Sequence, residues 1–451
     1  MAVDLTRSLA SVRFGYGLMP GRPPHPADEL LVSLTSPDEM RRRHPLPGLD
    51  EVGGLTAEAR RLNRGYREGK IPRAERDAAR KRLQTLGDEV RKATILRAVD
   101  SPTPFRERLV AFYVDHFTAR PGLASWLAPF IDEAIRTNVA ARFEDLLWAV
   151  ARQPAMLFYL DQNGSIGPGS RFGEKRGLGL NENYARELLE LHTLGVDGTY
   201  TQADVRQLAE LLTGMRVNLA EGFRFDERAA EPGAETVLGR TYGGRKADER
   251  DVQLALADLA RHPDTARHMA RKLAVHFVAD DPPVALVGHV AAAWTRSGGD
   301  LLQVYAALLE HPAAWELPLR KVKQPADFLV SAIRALGVDG AALSALTEKN
   351  FRRAVTRPAR YMGQPLLAPD GPDGWDEAPE AWITPQGLAS RIQWAMQTPP
   401  RLVEDMPDPR DFVEAALGPL ASPRLRWAAG AAETRGQGVA VVLASPDFNR
   451  R

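Results

Sequence analysis

The sequence predicts a mainly α-helical protein, a multi-helix orthogonal bundle or helical stack with a small β-hairpin insertion. Three observations carry this. Leu, Ala and Arg outnumber the β-branched residues that sheets prefer. Apolar residues recur three and four positions apart through most of the chain. Proline, Gly-Gly-Asp turns and capping residues divide the rest into segments of helical length. A chain of 451 residues is long enough for one large or several smaller units. The steady helical rhythm, without a fixed repeat, favours a single helical domain over 1–451.

In order, residues 4–13 read as a short helix stopped by Gly15 and Gly17, followed by a second from Pro26 to about Leu34. Residues 56–92 hold twelve basic against six acidic residues with few apolar ones, which predicts a charged helical arm. In "PFRERLVAFYVDHFTARPG", Phe105, Leu109, Phe112 and His116 fall on one stripe. Helices follow at about 123–137 and 143–152, and "PAMLFYLD" continues to Asp161. The stretch 163–180 has six glycines and the cations Arg171, Lys175 and Arg176. It reads as a loop, either a lid or a plain connection, since no G-K-[ST] phosphate signature is present. Alternation at Phe223 and Phe225 predicts a β-hairpin within 222–243. Helices then resume near 247–261, 264–279, 284–297, 299–310 and 325–336. "PLLAPDGPDGWDEAPEAWITPQG" is a rigid irregular loop in which Trp375 and Trp382 either stack on a sugar ring or anchor the loop. Helices at about 385–395, 409–416 and 432–444 close the chain.

The totals exclude several functions. Lys plus Arg number 59 against 58 for Asp plus Glu, so no global field recruits nucleic acid. The absence of cysteine removes disulfides, thiolate metal sites and cysteine nucleophiles. "MAVDLTRSLASVRFGYGLMPG" lacks a signal-peptide pattern, and no apolar run reaches the length of a membrane span. The expected compartment is the cytoplasm, or the periplasm by co-export with a partner.

"NENYARELLELHTLGVDGTYTQADV", residues 181–205, is the densest polar stretch. Asn181 as N-cap and Gly195 as C-cap predict a helix from Glu182 to about Thr193. Asn183, Glu187 and Glu190 then line one edge, Tyr184, Leu188 and Leu191 the apolar stripe, and His192 its far margin. Glu182 can pair with Arg186. Glu187 and Glu190 repel each other unless a cation or proton stands between them, which makes them candidates for acid/base or metal chemistry. Asp197-Gly198 forms a turn, and Thr201 with Asp204 a capping box. His116 and His276 lie on apolar stripes, where an imidazole is either a hydrogen-bonded core residue or a functional one. Helices carrying them toward the Glu187 helix would assemble a His/Glu set, although no H-E-x-x-H motif is present.

"SVRFGYG", "FYVDHF", the 181–205 stretch, "HPDTARHMARKLAVHFVADDPP" and "LASPDFNRR" together resemble, in order and over almost the whole chain, the bacterial family catalogued as domain of unknown function 1800. By position the resemblance points to His116, Asp161, Asn181, Glu182, Asn183, Arg186, Glu187, Glu190, His192, Asp204, Lys272 and His276, without catalytic assignments. It also implies a sulfatase-like protein encoded nearby as a partner. The chain departs from the family pattern at Tyr113, Gln153 and Met215, which leaves a degenerate, non-catalytic member open.

Two functional expectations result. In the first the protein is a hydrolase or lyase for a polar or saccharide-like substrate. Glu187, Glu190, Asp161 and His116 are then catalytic, and Asn181, Asn183, Arg186 and Trp375 bind substrate. A divalent metal, if used, is held by His116, Glu187 and His276. In the second it is a non-catalytic binding or maturation partner of the sulfatase-like protein, and the polar residues of 181–204 are structural.

Overall fold

Helices form where the sequence supplies both a start signal and an apolar stripe. In the computed structural model, which describes residues 2–120, 122, 124–176, 179–219, 221–244 and 246–451, the chain is 63% helical with two small two-stranded sheets. Glu249–Arg261 begins where Asp248 accepts a bond from the Arg250 N–H at 2.9 Å. Pro263–Phe277 has proline in its first turn, and Val284–Ser297 ends on Gly298, whose φ of 65° closes the helix. The predicted capping box of Thr201 and Asp204 starts Gln202–Leu211.

These stripes bury two hydrophobic clusters. One gathers Phe14, Phe105, Phe112, Phe277 and Trp294 with the helices of the first two-thirds of the chain. The other gathers Phe328, Trp394, Phe412 and Phe448 around Pro325–Ala335, Pro385–Gln397 and Arg435–Ala444. Arg73–Asp100 serves both, since Val90 packs in the first and Ile95 and Val99 in the second. The charged arm is therefore two helices, Leu49–Arg67 and Arg73–Asp100, joined at Gly69 with a φ of 71°. Its inner face buries Leu62, Leu83 and Leu86.

The structure differs from the sequence reading in three places. The expected single hairpin is two: Met215–Asn218 pairs with Gly222–Phe225, and Gly233–Val237 with Arg240–Gly244, both antiparallel. Phe223 and Phe225 thus pair with residues upstream of the predicted insertion. The glycine-rich loop contains the short helix Arg171–Arg176 and is tied to the strap between the hairpins. The Gly167 N–H donates to the Ala229 carbonyl at 2.9 Å and that of Phe172 to Arg228 at 3.0 Å. The Arg176 side chain and residues 177 and 178 lie outside the described residues. Finally, the helix predicted to run from Glu182 is an α-turn, Asn183–Glu187, followed by a π-helical turn, Leu188–His192. Among the described residues no helix is long and apolar enough to cross a membrane.

Candidate active site

Two helices supply the centre of the site. Pro263–Phe277 carries His268, Lys272 and His276 at four-residue steps, which places them along one face. Phe105–His116 carries Arg108, Asp115 and His116. The two meet where the Arg108 guanidinium donates to His276 Nε2 at 2.9 Å. That bond requires a bare Nε2, so the neutral imidazole carries its proton on Nδ1, which donates to Glu377 Oε1 at 2.5 Å. Burial agrees with this, pulling the His276 pKa down to about 4.

The π-turn supplies two carbonyls without helical partners. His116 Nε2 donates to the His192 carbonyl and His268 Nε2 to the Leu191 carbonyl, each at 3.2 Å. Gly195, with a φ of 89°, makes room, since a Cβ there would meet His268 Nδ1 at 2.8 Å. The ring centroids of His116 and His192 are 6.0 Å apart, and those of His116 and His268 6.4 Å. The His116 Nδ1 and both ring nitrogens of His192 are buried without hydrogen-bond partners among the described residues. Burial, reinforced by the charge of Lys272, lowers the pKa of His192 to about 3 and of His268 to about 4, and pulls His116 down as well.

Lys272 stands among these imidazoles and faces the carboxyls of Asp115, Glu377 and Asp373, but forms no hydrogen bond or ion pair with any described residue. Burial lowers its pKa against the pull of those carboxyls. Asp115 is pushed the other way, up to about 7, by burial, with the Trp375 N–H and Lys272 opposing the rise. The irregular segment after residue 364 brings this group together. Trp375 donates its N–H to Asp115 Oδ1 at 2.9 Å, and Gly374, with a φ of 82°, lies so close that a Cβ would meet the Asp115 carbonyl at 2.7 Å. Glu377 is the ionised member. Burial would raise its pKa, but His276 and the Lys321 ammonium, 2.7 Å from its Oε2, hold it well below the usual carboxylate range.

Beneath lies a second charged layer. Arg108 pairs with Asp327 at 2.5 Å, and the Arg451 Nε reaches the same carboxylate at 3.3 Å. Lys321 bridges Glu377 and Asp280. Beside Asp115, Trp375 and His276 opens a cavity of about 130 Å³ between the two hydrophobic clusters.

The sequence-predicted residues divide. Glu187 is half-buried and has no hydrogen bond or ion pair among the described residues. Burial raises its pKa, with Glu190 and Asp373 adding to the rise. Asp373 is thus within electrostatic reach of both Glu187 and Lys272. Glu190 is satisfied by Arg186 at 3.2 Å, and Arg186 also reaches Glu182 at 3.5 Å and Gln202 at 2.9 Å. Asn181 accepts the Asn183 N–H at 2.9 Å, a local turn, while the Asn183 side chain is exposed. Asp161 is exposed in a left-handed conformation, φ 57°, ahead of the turn Gln162–Gly164. Trp375 lines the cavity. Trp382 is buried and donates to the Asp376 carbonyl, and the two rings cross at 64°, so they form no common stacking surface. Asp204 is a cap that also accepts the Leu238 N–H.

The expected metal set of His116, Glu187 and His276 does not assemble. His276 is held by Arg108 and Glu377, His116 by the His192 carbonyl, and no three His, Asp or Glu side chains among the described residues are placed to hold an ion. Tyr113, Gln153 and Met215 do not line the cavity. Asp115, Asp373 and Glu377 were missed by the sequence reading, and Lys272 entered it only through the resemblance. For Lys272 a signal existed in the four-residue steps of "HMARKLAVH". Asp115 stands next to His116 but one helical step off the aromatic stripe.

A family model described as "Protein of unknown function (DUF1800)" matches residues 14–450. No curated protein and no solved structure matches the chain.

Proposed function

Given that the chain belongs to the DUF1800 family of proteins of unknown function, we propose that it is an enzyme, a hydrolase or lyase acting on a polar substrate, with Asp115 and Lys272 as its acid/base pair. The observation that supports this most is the isolation of Lys272: an amine surrounded by carboxyls and neutral imidazoles that is closed off by none of them. A structural lysine in such company would form an ion pair, as Lys321 does with Glu377. Asp115, held by the Trp375 N–H on one oxygen, would donate or take the proton of the reacting group. Lys272 would stabilise negative charge that develops there. Glu187, with no partner among the described residues and within electrostatic reach of Asp373, would help to orient substrate. The environments of Asp115 and Lys272 draw their pKa values toward each other from opposite ends of the scale, as acid/base chemistry near neutral pH requires.

Competitive amine labelling with trace acetic anhydride, followed by peptide mapping, tests the Lys272 half. Lys272 should be acylated ahead of the surface lysines at pH 7 to 8. Labelling no faster than that of Lys70 or Lys349 would count against a reachable amine of lowered pKa. A screen of ester, amide and glycoside substrates should then give an activity that Asp115→Asn abolishes while the fold is kept.

A second reading, the binding partner of a neighbouring sulfatase-like protein, draws support from Pro385–Gln397. Leu388, Ile392 and Met396 are 38, 40 and 60% exposed at four-residue steps on one face. Co-purification of the two co-expressed proteins, lost in Ile392→Glu, is its test.

A further inference from the structure

We infer that the cavity beside Asp115 is a subsite for an apolar group of about six carbons, so that the substrate is amphiphilic: an arene or branched alkyl group carrying the polar bond that Asp115 addresses. This rests on the proposed acid/base reading and names the substrate class for that same site.

The cavity lies on the seam where the two hydrophobic clusters fail to merge. Val110, Leu127 and Ile131 come from one, and Ile95, Val330 and Leu366 from the other. Clefts between packed units are where small-molecule sites usually form. Polar side chains also reach the cavity, but several are engaged with other protein groups. Arg97 bonds Asp132, Arg136 bonds Glu107, Arg108 bonds Asp327, and Gln364 donates to Gln324 at 2.8 Å. Among the described lining residues Arg108 Nε and Asp327 Oδ2 are buried polar atoms without a hydrogen-bond partner, few for water in a cavity whose wall is mostly apolar. A volume of about 130 Å³ is close to that of apolar cavities of roughly 150 Å³ that stay dry and take up benzene.

Two features connect the cavity to chemistry and to solvent. Asp115 and His276 both line it, so a ligand seated there would present its polar end to the carboxyl beside Lys272. Half-buried Arg91, Leu367 and Trp375 form its outer part. Leu367 holds a φ of 54°, a conformation that a leucine rarely adopts and that recurs at ligand-binding sites. A polar sugar would strand its hydroxyls against these walls.

The test uses the full chain and benzene as probe. Isothermal titration should show saturable binding of one benzene, with a rise in Tm that follows the benzene concentration. Ala111→Leu and Ala326→Leu, each at a half-buried alanine of the lining, should weaken binding at least tenfold without lowering the Tm of the free protein. In the wild type, methyl NOEs from benzene to Ala111, Val114 and Val330 locate the ligand without any variant. Asp115→Asn should bind benzene as the wild type does while losing the catalysed reaction, which separates this inference from the reading it rests on. No benzene binding, or binding whose NOEs fall elsewhere, overturns the subsite and leaves the Asp115–Lys272 pair untouched.

Discussion

Trp375 and Asp115, 260 residues apart in sequence, are joined by a single backbone hydrogen bond of 2.9 Å. It fixes the carboxyl that lines the cavity and faces Lys272, and it depends on Gly374. With a φ of 82°, that residue sits where a side chain would be strained and would also collide with the Asp115 carbonyl. Gly374→Ala should therefore destabilise the fold by about 1–3 kcal/mol in urea unfolding. It should also raise the Asp115 pKa further by loosening the Trp375 N–H, read by carboxyl ¹³C titration. An unchanged titration would mean that this bond does not tune the carboxyl.

The imidazoles set the response to acid. His116, His192, His268 and His276 all have folded pKa values below the unfolded value of about 6.5. Below pH 6.5 the unfolded chain therefore takes up protons that the folded chain refuses. Their contribution is complete above pH 6.5 and is lost as pH falls toward 4, by roughly 1.4 kcal/mol per pH unit for each group. Asp115 opposes them: its folded value of about 7 lies above the unfolded one, so its contribution declines as pH rises from about 4 to 7. The raised carboxyls of Glu187, Glu231 and Glu235 act in the same direction as Asp115, so urea midpoints should drop only modestly between pH 6.5 and 4.5, as the four imidazoles outweigh the carboxyls. His192→Leu, which replaces a buried ring with no hydrogen-bond partner among the described residues, should reduce the drop and stabilise the protein at pH 5 by about 1–3 kcal/mol. A flat profile from 6.5 to 4.5 would contradict the neutral-imidazole cluster.

How much of this was legible follows from particular residues. The helical architecture, the Thr201–Asp204 cap and the limits of Pro263–Phe277 lie in local signals of spacing and capping, and local signals survive in a single sequence. The partners of Asp115 do not, because a loop closing over 260 residues leaves no periodicity to read. The neighbours of His192 were not legible for a related reason: the His116 and Phe117 rings reach it from a helix distant in sequence. Arg186 could be seen as a partner for Glu182, but its second bond to Glu190, which leaves Glu187 alone, depends on side-chain choice between two equally spaced carboxylates.

Lys272 distinguishes a functional from a structural cluster. A desolvated amine without a hydrogen-bond or ion-pair partner among the described residues destabilises its own fold, so Lys272→Met, which keeps the length and removes the charge, should raise stability by about 1 kcal/mol or more. Any activity found for the wild type should disappear in the same variant. The Asp115 carboxyl should titrate higher, because the amine that lowers its pKa is gone. A Tm that falls by several degrees would reveal a structural contact for the amine and remove the trade-off on which its assignment rests.

The layer beneath the site tests whether the seam between the two clusters is held by charge. Asp327 receives Arg108 at 2.5 Å and Arg451 at 3.3 Å, and all three are buried. Asp327→Asn would leave two guanidinium groups facing a neutral amide, and breaking a buried pair from one side typically destabilises by about 3–5 kcal/mol. Arg108→Met should cost less, since Arg451 still compensates Asp327, but it also removes the donor that keeps His276 Nε2 bare. His276 would then be free to reverse its tautomer and weaken its bond to Glu377, which the imidazole Nδ1–H chemical shift would register. In the double variant Arg108→Met/Asp327→Asn one charge of each sign leaves together, so its stability should lie above the sum of the single losses. A double-mutant cycle with a coupling energy near zero would show that the seam is held by apolar packing alone.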